Sequence, residues 1–344
     1  MKKKKKTQKI LKKFFIIFFM LLIVAIALVG LDFYQKVFTS YKDYPEAVTI
    51  EVKKGAAVSI VGRQLVREKI IANYLYFRIY YRLFFAGASI KSGEYRFDRP
   101  MTMKEVIDIL TQGKVVLHKV TIQEGLIIKE IAGLLLQERG IAAESFSRAA
   151  NNIALVRDLD PGADSLEGYL YPDTYHIRRE TDADEMAHLM VDRFKENFTN
   201  AMKWRAEKLG MSIRQIVILA SLIEKETSSR EERFLISSVF HNRLKVGMTL
   251  GCDPTIIYVL KKIGKYNGKL GWNDLKLDSP YNTRLYSGLP PGPICNPGYA
   301  SIEAALYPEN TQYLYFVAKN PQSHYFSKTL DEHNWAVRKF IINR

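Results

Sequence analysis

Eighteen consecutive residues without a charge, FFIIFFMLLIVAIALVGL from Phe14 to Leu31, stand directly behind a lysine-rich N-terminus. A helix built from this stretch is apolar on every face, so it cannot pack one side on a core and show the other to water. Its length is close to the ~20 residues a helix needs to cross a bilayer. Eight lysines (Lys2 to Lys6, Lys9, Lys12 and Lys13) precede it. The positive-inside rule then predicts a cytoplasmic N-terminus with the rest of the chain on the other side. A cleaved signal peptide is the rival reading. The apolar run exceeds the ~7–15 residues of a signal h-region, however, and VGLDFY is a poor small-residue cleavage site. The expectation is a retained single-pass anchor: a basic cytoplasmic tail over 1–13, a transmembrane helix over 14–31 and a stalk over 32–47 that contains Pro45. The net charge of +15 must be read with this in mind, because about half of it belongs to the tail. A nucleic-acid partner is therefore disfavoured: the densest basic segment lies on the cytoplasmic side of the anchor, away from the folded region.

The 344 residues are enough for two domains or one large one, with 47% hydrophobic and 25% charged residues, as in ordinary globular proteins. Beyond the stalk, VTIEVKKGAAVSIVGRQLVREKII (Val48 to Ile71) alternates like a strand, turns at Gly55 and continues with the helical spacing Val58, Val61, Leu65. A related pattern recurs in KVTIQEGLIIKEIAGLLLQERGI (Lys119 to Ile141). Aligning Gly55 with Gly125 superposes Val61 on Ile131, Leu65 on Leu135, Glu68 on Glu138 and Ile71 on Ile141, although chance agreement of apolar periodicity is the competing explanation. Between them SGEYRF predicts a short strand, and MTMKEVIDILTQG an N-capped helix ended by Gly113. From Ala143 to Lys208 the chain reads as helical except at SLEGYLYPDTYHI, whose Gly, Pro and tyrosines forbid one continuous helix. Helices follow over MSIRQIVILASLIEKET and EERFLISSVFHNRLKVG. The remainder, Met248 to Phe326, is rich in turns and aromatics, with a last helix near Leu330 to Ile341. These elements predict an α+β fold, with domains over 48–118 and 119–344.

Chemistry centres on ASLIEKET (Ala220 to Thr227). On its helix Glu226 shares a face with Leu219, Leu222 and Ile223, whereas Glu224 shares one with Val217, Ala220 and Ser221. A carboxyl against an apolar wall has its pKa raised, the property of a general acid. The competing reading is a solvated helix end paired with Arg230 and Arg233; periodicity alone favours that one. Asp173, Asp253 and Glu167 are further acidic candidates; each also has a plain reading, Asp173 and Asp253 as caps of turns or of the helix beginning near Pro254. His241, His324 and His333 are too scattered for zinc, and Cys252 and Cys295 form no metal set. Their plain reading is two buried thiols, a single disulfide being the alternative. Tyr169, Tyr171, Tyr175, Tyr281, Tyr286 and Trp272 read as core or loop anchors. Together with Asn282 and Asn296 they also suit a sugar cleft, where rings stack and amides read hydroxyls. Nucleotide-binding loops and the G-x-S-x-G hydrolase elbow are absent from the sequence.

EGYLYPDTY, ASLIEKET, SSVFHNRLKVGM, DPTIIY, YNT, GLPPGPICNPG, YLYFV and HN (His333–Asn334) occur in this order, and the ordered set resembles the endolytic murein transglycosylase family, the YceG-like or MltG proteins. The resemblance covers nearly the whole chain. It implies a single-pass inner- or cytoplasmic-membrane enzyme with a LysM-like subdomain over 48–118 and a catalytic domain over 119–344. Its substrate would be peptidoglycan glycan strands, its partners peptidoglycan synthases, and it would need no cofactor and no metal. In the family the catalytic acid is the second glutamate of E-K-E-T, which falls on Glu226. The supporting or substrate-binding candidates are Glu224, Glu167, Tyr171, Asp173, Asn242, Asp253, Tyr281, Asn282 and Asn296. The family reaction cleaves the β-1,4 bond from N-acetylmuramic acid to N-acetylglucosamine and leaves a 1,6-anhydro end. A non-catalytic peptidoglycan-binding scaffold of a synthase complex and a hydrolytic muramidase are the alternatives.

Overall fold

The computed structural model describes residues 2–41, 46–320 and 323–342, with side chains from Ile10 onward. Pro45 of the expected stalk lies outside the described residues. The chain divides into two compact units, Met1–His118 with Arg178–Glu180, and Lys119–Ile177 with Thr181–Arg344. Helices and three two-stranded sheets are mixed, an α+β architecture.

The first unit opens with one long helix, α1 (Lys2–Phe38), whose segment Ile10–Phe38 is long and apolar enough to cross a membrane. α1 does not stop where the apolar run stops. Residues 32–38, expected as the beginning of a stalk, continue the helix, and Val37 is fully buried in the core of this unit with Phe33 packed against it. β1 (Val48–Val52) pairs antiparallel with β2 (Gly93–Phe97), Ile50 opposite Tyr95. The two-residue alternation of a strand puts Ile50, Val52, Tyr95 and Phe97 inside and Thr49, Glu51 and Arg96 outside. Between these strands lie α2 (Val58–Arg67) and α3 (Tyr74–Phe84), the latter capped by the Asn73 side chain, which accepts from the backbone N–H groups of Leu75 and Tyr76. α4 (Met103–Gln112) starts at a Thr102–Glu105 capping box and ends at Gly113 in the left-handed region.

The second unit contains β3 (His118–Thr121), α5 (Ile128–Arg139), α6 (Ala143–Ala149), β4 (Thr174–Ile177), α7 (Ala183–Asn197), α8 (Asn200–Lys208), α9 (Ile213–Glu226) and α10 (Arg230–Lys245). α11 (Asp253–Lys262), α12 (Tyr299–Leu306), β5 (Tyr315–Asn320), β6 (Ser323–Ser327) and α13 (Leu330–Val337) complete it. β3 pairs with β4, and β5 with β6 in an antiparallel hairpin. The last helix is shorter than Leu330 to Ile341, because α13 gives way to a wider π turn at Arg338. α9 is the axis of this unit: every residue from Ile216 to Ile223 is buried, and α8, α10, α11 and α12 pack around it.

Both units contain the same strand–turn–helix device. Gly55 and Gly125 each have φ near +76°, a conformation that glycine adopts without steric cost, and each stands three residues before its helix. Val61, Leu65 and Ile71 are buried in one core, and Ile131, Leu135 and Ile141 in the other. The periodicity shared by Val48–Ile71 and Lys119–Ile141 is therefore a shared local fold.

Candidate active site

α9 ends because Thr227 leaves helical geometry for extended backbone (φ −148°, ψ 145°). Residues two apart on a helix point about 200° apart around its axis, so the two terminal glutamates meet different surroundings.

Glu224 turns into the protein. Its carboxylate lies 3.2 Å from Nη2 of Arg233, the two side chains being only 7% and 10% exposed, and it accepts the backbone N–H of Gly298 at 3.1 Å. Glu124 approaches the same guanidinium at 3.7 Å. Burial pushes the Glu124 carboxyl up, the Glu224 charge pushes it further, and Arg233 opposes both. The ion pair expected at the helix end thus forms with Glu224, and it is buried rather than solvated.

Glu226 lines a cleft of about 510 Å3 together with Arg243, Asp253, Arg284, Tyr315, His324 and His333. It forms no ion pair among the described residues. Burial pushes its carboxyl above the ordinary glutamate range and the nearby Asp253 charge adds to this, while the Cys252 thiol, His324 and Arg243 pull the other way. The cations around it are held in place by other partners. Arg243 donates from Nε to the Leu314 carbonyl and from Nη1 to that of Leu250, both at 2.6 Å, and stacks over Tyr315. Arg284 pairs with Asp253. The His324 ring nitrogen Nδ1 donates to the Glu232 carboxylate at 2.7 Å, and the same carboxylate takes the backbone N–H of His324. The β5–β6 hairpin contributes Phe316, Val317 and Ala318 as an apolar wall. Such a site holds a carboxyl ready to be protonated while cationic groups stand within electrostatic reach.

The structure brings Glu226 and Asp253 together and distributes the other sequence-predicted residues elsewhere. Asp253 is the first residue of α11 and Cys252 occupies the cap position, so Asp253 caps nothing and is free to bind Arg284. Glu167 is buried, accepting from the Ile128 N–H at 3.1 Å and from Nδ2 of Asn296 at 2.9 Å; burial raises its pKa to about 8. It borders a separate cavity of about 120 Å3 with Tyr258, Tyr281 and Arg214. The Asn296 carbonyl accepts from Gly168 and Leu170, and its amide donates to Leu126 and Glu167, so no hydrogen-bonding position is left for a sugar. Gly168 itself has φ +90° and is wedged against Pro293 and Val217; an added Cβ would lie 2.5 Å from Pro293. Asn282, 1% exposed, donates to the Leu275 and Leu277 carbonyls and accepts from Arg284 N. Asn242 donates to the Thr311 and Tyr313 carbonyls and so fixes the approach to β5. The amides expected to read sugar hydroxyls therefore brace the loops that carry Arg284 and the hairpin. Tyr171 is buried with its pKa raised to about 12, and Asp173 pairs with Arg193 at 3.1 Å. Cys252 and Cys295 are buried free thiols, the latter donating to the Ser221 carbonyl.

Sequence reasoning missed Arg243, Arg284 and Glu124, and weighed His324 only as a zinc ligand and His333 only as that and as part of a motif. Arg243 follows Asn242 within HNRLKVGM, but nothing local distinguishes it from a surface arginine. The others reach their places through long-range packing.

The YceG-like family matches residues 50–339. A Bacillus subtilis protein named endolytic murein transglycosylase is 32% identical over 320 residues, covering 88% of this chain and 87% of that protein. A Streptococcus pneumoniae protein of the same name is 28% identical over 327 residues, covering 86% of this chain; the chain spans 59% of that longer relative. The crystal structure of a putative yceG-like protein from Listeria monocytogenes is similar with a TM-score of 0.58 and 32% identity, covering 85% of this chain and 99% of the other.

Proposed function

Because the chain belongs to the YceG-like family, we propose that it is a murein transglycosylase, an enzyme acting on peptidoglycan, with Glu226 as its catalytic acid. The observation that carries this reading is the contrast at the end of α9: Glu224 is neutralised by Arg233, whereas Glu226 faces an open cleft with its carboxyl pushed towards the protonated form. Protonated Glu226 donates to the glycosidic oxygen between N-acetylmuramic acid and N-acetylglucosamine, through a transition state of oxocarbenium character. The carboxylate so formed takes the proton from the muramoyl C6 hydroxyl, which closes onto C1. A 1,6-anhydro end results within the glycan strand and no water is consumed. One carboxyl serves both steps, so Asp253 is left to hold Arg284.

In this reading α1 is a single-pass anchor with the N-terminus in the cytoplasm, and the folded units stand outside. The unit over 48–118 is LysM-like and holds glycan, that over 119–344 is catalytic, and peptidoglycan synthases are its partners in ending nascent strands. A Glu226→Gln variant keeps the shape of the site and lacks the proton. Digestion of purified glycan strands should yield anhydro-ended products with the wild type and none with the variant, read by mass spectrometry. Anhydro products at wild-type rate from the variant remove Glu226 as the acid. Products with water added at every cut identify a hydrolytic muramidase. A wild type that binds strands and cuts none is a scaffold.

A further inference from the structure

α3 leaves an apolar and cationic face uncovered beside the outer end of α1. At about 100° per residue, Leu75, Ile79 and Leu83 form one stripe along α3, and Arg78 and Arg82 lie next to it on one side. On the stripe's other side lie Tyr76 and Tyr80, which meet α1: the Tyr76 hydroxyl bonds Asp32, its ring packs edge-on against Phe33, and Tyr80 packs edge-on against Phe38. Leu75 is 55% exposed, Leu83 66% and Phe84 64%. The apolar stripe therefore borders α1 directly, with the arginines beyond it. Neither Arg78 nor Arg82 forms an ion pair among the described residues, and both line a cavity of about 270 Å3 floored by Tyr74, Phe77 and Tyr81.

The height of this face follows from α1. Eighteen apolar residues span about 27 Å, slightly less than the ~30 Å hydrocarbon thickness of a bilayer. The outer hydrocarbon boundary then falls at Asp32 and Phe33, where the first turn of α3 is attached. α3 climbs with α1 from Phe33 to Phe38, through the headgroup layer. Leu75 and Ile79 stand at its lower edge, and Arg78 and Arg82 at the level of the phosphates. Exposed tyrosine and phenylalanine on α1 itself, Tyr34 in tilted contact with Phe38, belong to the same level.

We propose that the exposed face of the first turns of α3 is a second membrane contact, seated in the outer leaflet with Leu75 and Ile79 at the upper acyl chains and Arg78 and Arg82 on anionic lipid phosphates. Burying apolar side chains at the interface and placing arginines beside anionic headgroups are both favourable. The contact rests on α1 being a membrane span, and it fixes the first unit against the bilayer where a single helix would leave it free to swivel.

The test uses the full chain in vesicles of phosphatidylglycerol and phosphatidylcholine that carry a headgroup-proximal nitroxide lipid. Single Leu75→Cys, Ile79→Cys, Arg67→Cys and Ile23→Cys chains carry an environment-sensitive fluorophore; the native cysteines are buried and do not compete. Labels at Leu75 and Ile79 should emit to the blue and be quenched at least about twofold more than the label at Arg67. Arg78→Glu with Arg82→Glu should reduce that difference, as should vesicles of phosphatidylcholine alone. Water-like, unquenched labels at Leu75 and Ile79 beside a blue-emitting label at Ile23 overturn the proposal and leave the span intact. Water-like emission at Ile23 refutes the span and the proposal with it. Blue but unquenched emission at Ile79 that turns water-like on dilution into excess lipid assigns the face to a second copy of the chain and also overturns it.

Discussion

Replacing Arg233 by Met isolates what holds the end of α9. The guanidinium lies 3.2 Å from Glu224 and 3.7 Å from Glu124, and its side chain is 10% exposed. Removal leaves two carboxylates facing each other with no cation, and Glu224 is 7% exposed, so little water reaches it. Breaking a buried pair from one side costs about 3–5 kcal/mol, and the like-charge neighbour places Arg233→Met towards the upper part of that range. The charge-free double variant, Glu224→Gln with Arg233→Met, should recover most of the loss and give a coupling energy of about 1–3 kcal/mol. The single variant's deficit should shrink as pH falls: burial and the Glu224 charge already raise the Glu124 carboxyl, and with Arg233 gone nothing opposes them, so the folded state binds the extra proton. Stability in that variant is therefore present at low pH and lost as pH rises through the raised value. The assay is urea unfolding of the full chain in detergent followed by tryptophan fluorescence. All three tryptophans, Trp204, Trp272 and Trp335, lie in the second unit, so the signal reports that unit alone. A loss below about 1 kcal/mol, the range of exposed pairs, or a double variant no better than the single one, refutes the claim that Glu224 is neutralised by burial with Arg233.

Activity should fall as pH rises through the elevated range of the Glu226 carboxyl, because the acid form is the one consumed at bond cleavage. Cys252→Ala removes a thiol that stabilises the charged form, so the descending limb of the pH–rate profile should move to higher pH; a shift to lower pH or none contradicts this. Glu167 keeps its proton in the folded state up to about pH 8 against 4.5 for the free group. Its contribution is present below the unfolded value and lost as pH rises to the folded one, up to about 5 kcal/mol across that window. Glu167→Gln should flatten the urea-unfolding stability between pH 5 and 8, and parallel pH curves for the two proteins would show that Glu167 is ionised throughout.

Local rules carried the fold further than they carried the site. The strand–turn–helix units, the Thr102 cap and the Gly113 stop depend on neighbours within four or five residues, and periodicity exposes such neighbours. The continuation of α1 through Phe38 was not legible, because what sustains it is the burial of Val37 and Phe33 against other elements of the unit. The same limit applies at the cleft. Arg243, Arg284 and His324 come from α10, the turn after Tyr281 and β6, and each is oriented by a partner distant in sequence: Leu314, Asp253 and Glu232. Asn282 and Asn296 show the converse, since an amide in a loop reads equally well as a sugar ligand or as a brace. Only the count of saturated donors and acceptors separates the two.

Spacing at the end of α9 explains why two glutamates two residues apart meet such different surroundings. Glu224 and Glu226 share a helix and nearly the same distance from its end, so any helix-dipole effect acts on both. What differs is direction. The roughly 200° between them aims Glu224 at Arg233 and the Gly298 N–H, which hold it in place, and aims Glu226 at a desolvating wall with Asp253 nearby, which pushes its carboxyl up. Burial of this kind is how a site moves one carboxyl towards the role of general acid. A spacing of three or four would place both on one face and force them to compete for the same cation. The two-residue spacing in LIEKET is thus a geometric requirement of the proposed chemistry, with Glu224 locking the helix end to the loop at Gly298 and leaving Glu226 unpaired at the cleft.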